Sequence, residues 1–295
     1  MKIDGYKFGQ KNNWRKWAWN RAKEIISQGG VLPKNANIMY LAGMQDLDRA
    51  VATSKGFNPN NMIAVDINSR VVNHAREKKC LAVKSDLNSA IAAISLLNKK
   101  IDVLVCDLCC GLTTQIKELI DLLSRGCIYN ENTMLNSYPL SDSAAIIINL
   151  LRGRDAGEVL DLYAGIQDRH RGKMVYSYYV RMLRQTTEKD IIKHHGSRDN
   201  FVSFCKNCGM GDGKNFEGLL DYWIQRTTIG ERFCFNSYST NNAKMDSVVF
   251  KYLSPINGAC PETKKEITEA KRSIASVFAI QTMKKAGKLK PCPAF

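Results

Sequence analysis

Three aspartates recur at nearly equal spacing in the first half of the chain. Asp66, Asp86 and Asp107 are 20 and 21 residues apart, and each closes or follows an apolar run. A carboxylate at the end of a second strand, about 20 residues after a glycine turn, suits hydrogen bonds to ribose hydroxyls. Asp66 lies 23 residues after Gly43. The spacing therefore predicts a site for an adenosine-containing cofactor, with Asp66 on the ribose.

The residues around these aspartates predict strands and helices in alternation. The predicted strands are 38–42, 62–66, 80–83 and 101–107, with a fifth within 133–138, and the predicted helices are 46–55, 69–78, 87–97 and 113–123. Such alternation gives a mostly parallel sheet with helices on both faces. The three aspartates should then meet at one crevice, at the carboxyl ends of the strands. The alternative is that each is simply a helix N-cap, a position that Asp favours.

The second half of the chain follows a different pattern. Segments 143–151, 157–163 and 174–187 are predicted as helices, 233–238 and 247–252 as an antiparallel hairpin, and 262–283 as a further helix. We expect four regions: a basic Trp-rich helix in 1–36, a cofactor-binding half in 37–141, a substrate-recognition half in 142–260 with an insertion at 185–230, and a helix with a basic tail in 261–295.

Four segments resemble the motifs of a known enzyme family. Leu41-Ala42-Gly43, Ala64-Val65-Asp66-Ile67-Asn68, Ser85-Asp86-Leu87 and Asp102-Val103-Leu104-Val105-Cys106-Asp107 resemble motifs I to IV of class I S-adenosylmethionine-dependent methyltransferases. The resemblance implies an α/β fold: a mostly parallel Rossmann-like sheet of about seven strands with an antiparallel C-terminal hairpin. It also implies S-adenosylmethionine as cofactor. The residues implied to bind it are Leu41, Ala42, Gly43, Asp46, Asp66, Ile67, Asp86 and Leu87.

The residues implied to line the reacting end are Asp107, Cys109 and Cys110. The family's Gly-x-Gly-x-Gly loop has here the single glycine Gly43, and its Pro-Pro-aromatic after Asp107 is replaced by Leu-Cys-Cys. Cys110 has the offset of the cysteine in RNA cytosine-5 methyltransferases, where a thiolate adds to carbon-6 of a pyrimidine. Packing in the core is the alternative for both cysteines.

The charge of the chain favours a polyanionic partner. Lys and Arg number 43 against 28 Asp and Glu, which gives a formal charge of +15. We expect nucleic acid, DNA or RNA, as the partner, although a basic surface that only maintains solubility is the alternative. The cations expected to contact it are Arg15, Lys16, Arg21, Lys284 and Lys285. Trp14 and Trp17 could stack on bases or pack in the core.

The sequence has only weak signals for a membrane span, a secretion signal or a metal site. The longest apolar runs fall short of the roughly 20 residues that span a bilayer, and the first residues lack an apolar signal core. We therefore expect a cytoplasmic protein with reduced cysteines. Cys205 and Cys208 have the spacing of half a zinc site, but a single such pair favours free thiols.

Three functions stay open at this point. The first is a methyltransferase acting on a DNA or RNA base. The second is a catalytically inactive protein of the same fold that binds nucleic acid. The third is a nicotinamide-dependent oxidoreductase, which would use Asp66 in the same way but usually carries Gly-x-Gly-x-x-Gly.

Overall fold

The computed structural model describes residues 8–95, 100–108, 111–125, 128–130, 135–137, 139–152, 155, 170–207, 213–221, 234–240 and 243–253. Its strands are β1 (Ile38–Leu41), β2 (Met62–Asp66), β3 (Leu81–Lys84), β4 (Ile101–Asp107), β5 (Ile128–Asn130), β6 (Leu135–Ser137), β7 (Leu140–Leu151), β8 (Cys234–Thr240) and β9 (Ala243–Lys251). Its helices are α1 (Phe8–Gln28), α2 (Leu47–Ser54), α3 (Ser69–Glu77), α4 (Leu87–Ser95), α5 (Thr114–Arg125), α6 (Arg171–His195) and α7 (Arg198–Asn207).

Seven of the strands form one sheet, in the order β3-β2-β1-β4-β7-β9-β8. Strands β1, β2, β3, β4 and β7 all run in the same direction, whereas β9 runs antiparallel to both β7 and β8. Helices α1, α2 and α3 contribute to the core on one face, and α4, α5 and α6 to the core on the other. The predicted fold class, including the C-terminal hairpin, is confirmed.

Strand order reverses at β1, which determines where a ligand is expected. β1 pairs with β2 on one side and with β4 on the other. In open α/β sheets, ligands bind outside the carboxyl ends of the strands at such a switch point. The crevice of interest therefore lies beyond Leu41, between the ends of β2 and β4.

Strand β7 corrects the sequence prediction. Segment 143–151 was expected to be a helix, with the fifth strand of the sheet within 133–138. Instead β7 occupies 140–151 in the middle of the sheet, and 135–137 pairs only with β5. A continuous apolar run does not distinguish a buried helix from a strand that is covered on both faces, but its three consecutive isoleucines favour the strand.

The segment before the hairpin is more helical than expected. α6 extends over 25 residues and α7 over 10, so part of the predicted insertion at 185–230 is regular structure. The predicted helix at 157–163 and the C-terminal residues 261–295 lie outside the described residues. The predicted boundary at Ser141 falls within β7, so both halves share one sheet. Within the described ranges, no helix has the length and apolar character needed to cross a bilayer.

Candidate cofactor and active site

The ends of β2 and β4 lie at one level of the sheet, on either side of the loop that follows β1. In the β1–β2 register Leu41 is opposite Val65. In the β1–β4 register Tyr40 is opposite Val105, so Ala42, two residues later, is level with Asp107. The Ala42 N–H also donates to the Val65 carbonyl at 2.9 Å. Because adjacent strands are about 4.8 Å apart, Asp66 and Asp107 end strands that are roughly 10 Å apart.

On the β2 side, four residues form an exposed border that we call the open rim (Gly43, Met44, Asp66 and Ile67). Met44 is 50% exposed and Ile67 is 71% exposed, unusually high values for large apolar side chains. A Cβ placed on Gly43 would meet no atom of the described structure within 4 Å. The fold itself therefore does not require glycine here, whereas a ligand lying close to the backbone would.

Asp66 is half-buried and has acceptor capacity to spare. Its Oδ1 accepts a hydrogen bond from the Asn68 N–H at 2.7 Å. No hydrogen bond within the described part of the chain reaches its Oδ2. A carboxylate oxygen beside exposed apolar side chains fits a ribose with its attached base, so the residues present suit an adenosine group.

Asp86 and Leu87 lie at the start of α4, next along the same edge. The Asp86 Oδ1 accepts from the Ser89 N–H at 2.9 Å, as an N-cap does. Hydrogen bonds from Ser89 hold the pKa of the Asp86 carboxyl below its usual range. Asp86 is exposed, while Leu87, the first residue of α4, is buried in the core between this helix and the sheet. The N-cap role that the sequence left open is present, and the carboxylate still faces solvent.

Asp46 is turned into the protein rather than toward the crevice. It has a left-handed backbone, with a φ of 51°, and is 8% exposed. Its Oδ1 accepts from the Tyr40 hydroxyl at 2.6 Å, and its Oδ2 lies 3.5 Å from the Cys80 thiol. Burial, followed by these contacts, raises the pKa values of Tyr40 and of Cys80. Asp46 thus fixes the loop that follows β1 to the protein interior. At the start of that loop, Leu41 is half-buried and Ala42 is buried.

On the β4 side, helix α1 covers Asp107. The Asp107 Oδ2 lies 2.9 Å from the Lys11 Nζ and 3.4 Å from the Arg15 Nη2, and its Oδ1 accepts from the Asn149 Nδ2 at 2.7 Å. Only 9% of the Asp107 side chain is exposed. Unlike Asp66, this carboxylate is enclosed by donors from two other elements.

A second carboxylate joins the same group of contacts. Arg15 donates through Nε to the Asp48 Oδ2 at 3.1 Å, and Trp19 donates through Nε1 to the Asp48 Oδ1 at 3.2 Å. Burial raises the pKa of Asp48, and Arg15 opposes that effect. We call Lys11, Arg15, Asp48 and Asp107 the charge cluster. It pairs two cations with two carboxylates, so ionised it carries no net charge.

Asn149 extends this arrangement across the sheet. It is fully buried, and its Nδ2 also contacts the Tyr238 hydroxyl at 2.8 Å while its Oδ1 accepts from the Ser247 hydroxyl at 2.6 Å. Trp14 stacks on Tyr238 with ring centroids 5.6 Å apart. Sequence reasoning missed Asn149, Asp48 and Tyr238. The available signal was the polar Asn149 within the apolar run of β7.

Cys109 and Cys110 lie outside the described residues, but the chain just beyond them is held in place. The Leu112 N–H donates to the Asp155 Oδ1 at 2.9 Å. Asp155 in turn pairs with the Arg171 guanidinium at 2.6 Å. The loop after β4 is thereby tied to the first residue of α6.

The expected nucleic-acid contacts differ in their surroundings. Arg15 is 7% exposed and belongs to the charge cluster, so it does not present its guanidinium to solvent. Lys16 is exposed, and Arg21 is partly exposed and pairs with Glu24 at 2.6 Å. Lys284 and Lys285 lie outside the described residues. Further exposed cations occur near the β3 edge, namely Arg70, Arg76, Lys78, Lys79 and Lys84.

Of the cysteine pair with the spacing of half a zinc site, the described member has an apolar setting. Cys205 is buried with Ile191, Phe201, Phe216, Leu219 and Leu220, and Cys208 lies outside the described residues. Across the described ranges, no three His, Cys, Asp or Glu side chains are grouped so that they could hold a metal ion.

No protein-family model and no curated protein matches the chain. Among solved structures, the plantazolicin methyltransferase BpumL in complex with a pentazolic desmethylPZN analog and SAH is 12% identical, with 83% of this chain and 85% of that chain covered at a TM-score of 0.38. The plantazolicin methyltransferase BamL with a triazolic desmethylPZN analog and SAH is 14% identical, with 82% and 85% covered at 0.37.

Coclaurine N-methyltransferase bound to N-methylheliamine and SAH is 10% identical, with 79% of this chain and 72% of that chain covered at a TM-score of 0.28. Likenesses this distant say nothing about ligand or activity. The fold class rests on the strand order and strand directions of the chain itself.

Proposed function

We propose that this chain is a methyltransferase that binds S-adenosylmethionine beyond the carboxyl ends of β1, β2 and β3 and methylates a nucleic acid, DNA or RNA. The observation that carries the proposal is the open rim. It combines a carboxylate whose Oδ2 has no partner among the described residues, two exposed apolar side chains and a glycine that the fold does not need, all at the switch point of the sheet.

In this proposal the cofactor follows the sheet edge. Asp66 accepts from the ribose hydroxyls, Ile67 packs against the adenine, and Asp86 lies at the far end of that base. The loop from Leu41 carries the methionine moiety toward β4. When bound, S-adenosylmethionine supplies an electrophilic methyl group on a sulfonium. The protein contributes position and charge, because transfer is a direct displacement.

The charge cluster fixes the reacting end. Asp107 is held by three donors from α1 and β7, so its carboxylate has one defined position. Its role is to fix the geometry at the end of β4 rather than to remove a proton. Cys109 and Cys110 come directly after it in the sequence and stay candidates for contact with the substrate.

The support for nucleic acid is the charge of the chain. The net charge is +15, and on the described surface Lys16, Arg21 and the cations near the β3 edge are exposed to solvent at least in part. Such cations give affinity for phosphates without sequence preference. A nicotinamide cofactor is less well supported, because the loop after β1 has Gly43 alone where such sites usually carry Gly-x-Gly-x-x-Gly.

The experiment is methyl transfer from isotope-labelled S-adenosylmethionine to mixed DNA and RNA, followed by mass spectrometry of the nucleosides. We expect a labelled nucleoside with the intact protein and much less of it with Asp66→Ala at the same concentration of S-adenosylmethionine. Label in neither DNA nor RNA would contradict a nucleic-acid substrate.

An inactive descendant that binds nucleic acid is the second candidate. It is favoured by the enclosure of Asp107, whose charge the cluster already balances. Nucleic-acid binding without any binding of S-adenosylmethionine would support this candidate over the enzyme.

A further inference from the structure

We infer that Lys11 makes the site sensitive to ligand charge, so that it weakens binding of a cationic methyl donor relative to its neutral product. This inference rests on the proposed function. Its basis is the 2.9 Å ion pair between the Lys11 Nζ and the Asp107 Oδ2, at the carboxyl end of β4. Helix α1, which carries Lys11, belongs to none of the βα units that form the crevice.

The charge cluster holds a cation beside each carboxylate before any ligand arrives. Two cations face two carboxylates, and the exposed fractions of the four side chains range from 8% to 16%. Charges that are withdrawn from water interact more strongly than those at the surface. A further positive charge beside Asp107 therefore meets one carboxylate that already has two cationic partners.

Lys11 and Arg15 are held to different extents. Arg15 contacts both carboxylates and also lies 3.5 Å from the Asn12 Oδ1. Within the described residues, Asp107 is the single ion-pair partner of Lys11, whose side chain is the most exposed of the four at 16%. A lysine ammonium on a flexible stem can move into water, whereas a guanidinium fixed by two carboxylates stays in place.

The two forms of the cofactor differ at one atom by one unit of charge. S-adenosylmethionine carries a sulfonium, and S-adenosylhomocysteine carries a neutral thioether. With Lys11 in place, the sulfonium leaves the cluster with excess positive charge, so Lys11 must withdraw or the affinity falls. The neutral product imposes no such requirement, and Lys11 keeps its contact with Asp107.

The test is calorimetric titration of both ligands into wild type, Lys11→Met and the matched control Lys23→Met, an exposed lysine on the same helix. Loss of Lys11 removes one positive charge from beside Asp107. We expect the affinity for S-adenosylmethionine relative to S-adenosylhomocysteine to rise about tenfold, as partly screened neighbouring charges predict. Lys23→Met should leave the ratio as in wild type.

An unchanged ratio in a Lys11→Met protein that binds both ligands would overturn the inference and leave the proposed function standing. No heat from either ligand with wild type would overturn both. Amide hydrogen exchange of α1 in the wild type gives a readout that needs no variant. S-adenosylmethionine should speed exchange around Lys11 and S-adenosylhomocysteine should not, so an equal response to both also overturns the inference.

Discussion

Asp66 and Asp107 end the strands on either side of β1, yet their surroundings differ. Asp66 is half-buried, and its single hydrogen bond in the described structure comes from a residue two positions away. The Asp107 side chain is 9% exposed and has donors from α1 and β7. The comparison teaches that the open rim is available to a ligand, whereas the charge cluster fixes helix α1 to the sheet. Substitutions in the open rim should change binding with little loss of stability, whereas loss of Arg15 from the charge cluster should lower stability.

The largest effect is expected from Arg15→Met. It removes the contacts to Asp48 and Asp107 together and leaves Asp48 buried without its cation. Breaking a buried pair in this way costs about 3–5 kcal/mol of the free energy of unfolding. Chemical denaturation measures it, with Lys16→Met as the control, which should change stability by less than about 0.5 kcal/mol. A loss below about 1 kcal/mol for Arg15→Met would mean that the cluster does not fix α1.

A second substitution tests whether a buried carboxylate on β9 stabilises the fold in the same way as the charge cluster. Asp246 is fully buried and accepts from the Arg152 Nε at 2.6 Å, the Arg171 N–H at 2.9 Å and the Ser237 hydroxyl at 2.8 Å. Burial raises the pKa of Asp246, but these donors outweigh it and hold the pKa below its usual range. Asp246→Asn should lower the free energy of unfolding at pH 7 by about 2–4 kcal/mol.

The pH dependence of that loss follows from the direction of the shift. A carboxyl whose folded pKa is depressed stabilises the fold above its unfolded pKa of about 3.9. The stabilisation is lost as pH falls below that value through the folded pKa. Wild type and Asp246→Asn should therefore converge in acid, as measured by denaturation from pH 7 to pH 3, and a constant difference would argue against an ionised Asp246.

Gly43→Val tests the open rim, where binding rather than stability should change. Because a side chain at Gly43 meets open space, stability should change by less than about 0.5 kcal/mol. Affinity for S-adenosylmethionine should fall at least about tenfold, or 1.4 kcal/mol, because the side chain occupies the approach to the backbone. Calorimetry measures the affinity and thermal melting the stability. Unaltered affinity would place the ligand away from this loop.

The smallest effect is expected from Asp86. Asp86→Ala removes the cap of α4 and should cost about 1 kcal/mol of stability, whereas Asp86→Asn keeps an acceptor for the Ser89 N–H and should cost less. If the exposed carboxylate also contacts adenine, both variants should weaken cofactor binding about equally. If Asp86 serves only as a cap, neither variant should change affinity.

Much of the fold could be predicted from the sequence because its signals are local. The alternation of apolar runs and helical periodicity up to Leu123 predicted β1 to β4 and α2 to α5 within a few residues. β7 was assigned wrongly, because a buried central strand carries no alternation of polar and apolar residues, and the preference of its isoleucines for a strand is a weaker signal. The pairing of β7 with β4 and β9 identifies its place within the sheet.

The candidate site likewise has features that the sequence predicted and features that it did not. Spacing alone predicted that Asp66 and Asp107 would end strands at one edge of the sheet. It did not predict that Arg15 would be buried against Asp107, because 92 residues separate the two in the chain. A basic residue on a helix is usually solvated, and only tertiary packing brings this one under the sheet edge.

Calorimetric titration of S-adenosylmethionine into the intact protein and into Asp66→Ala tests the central claim most directly. The account predicts submillimolar binding to the intact protein and at least tenfold weaker binding to a folded Asp66→Ala, since a charge-assisted hydrogen bond contributes about 1.5–3 kcal/mol. No heat from the intact protein, or equal affinity in the two proteins, would contradict it.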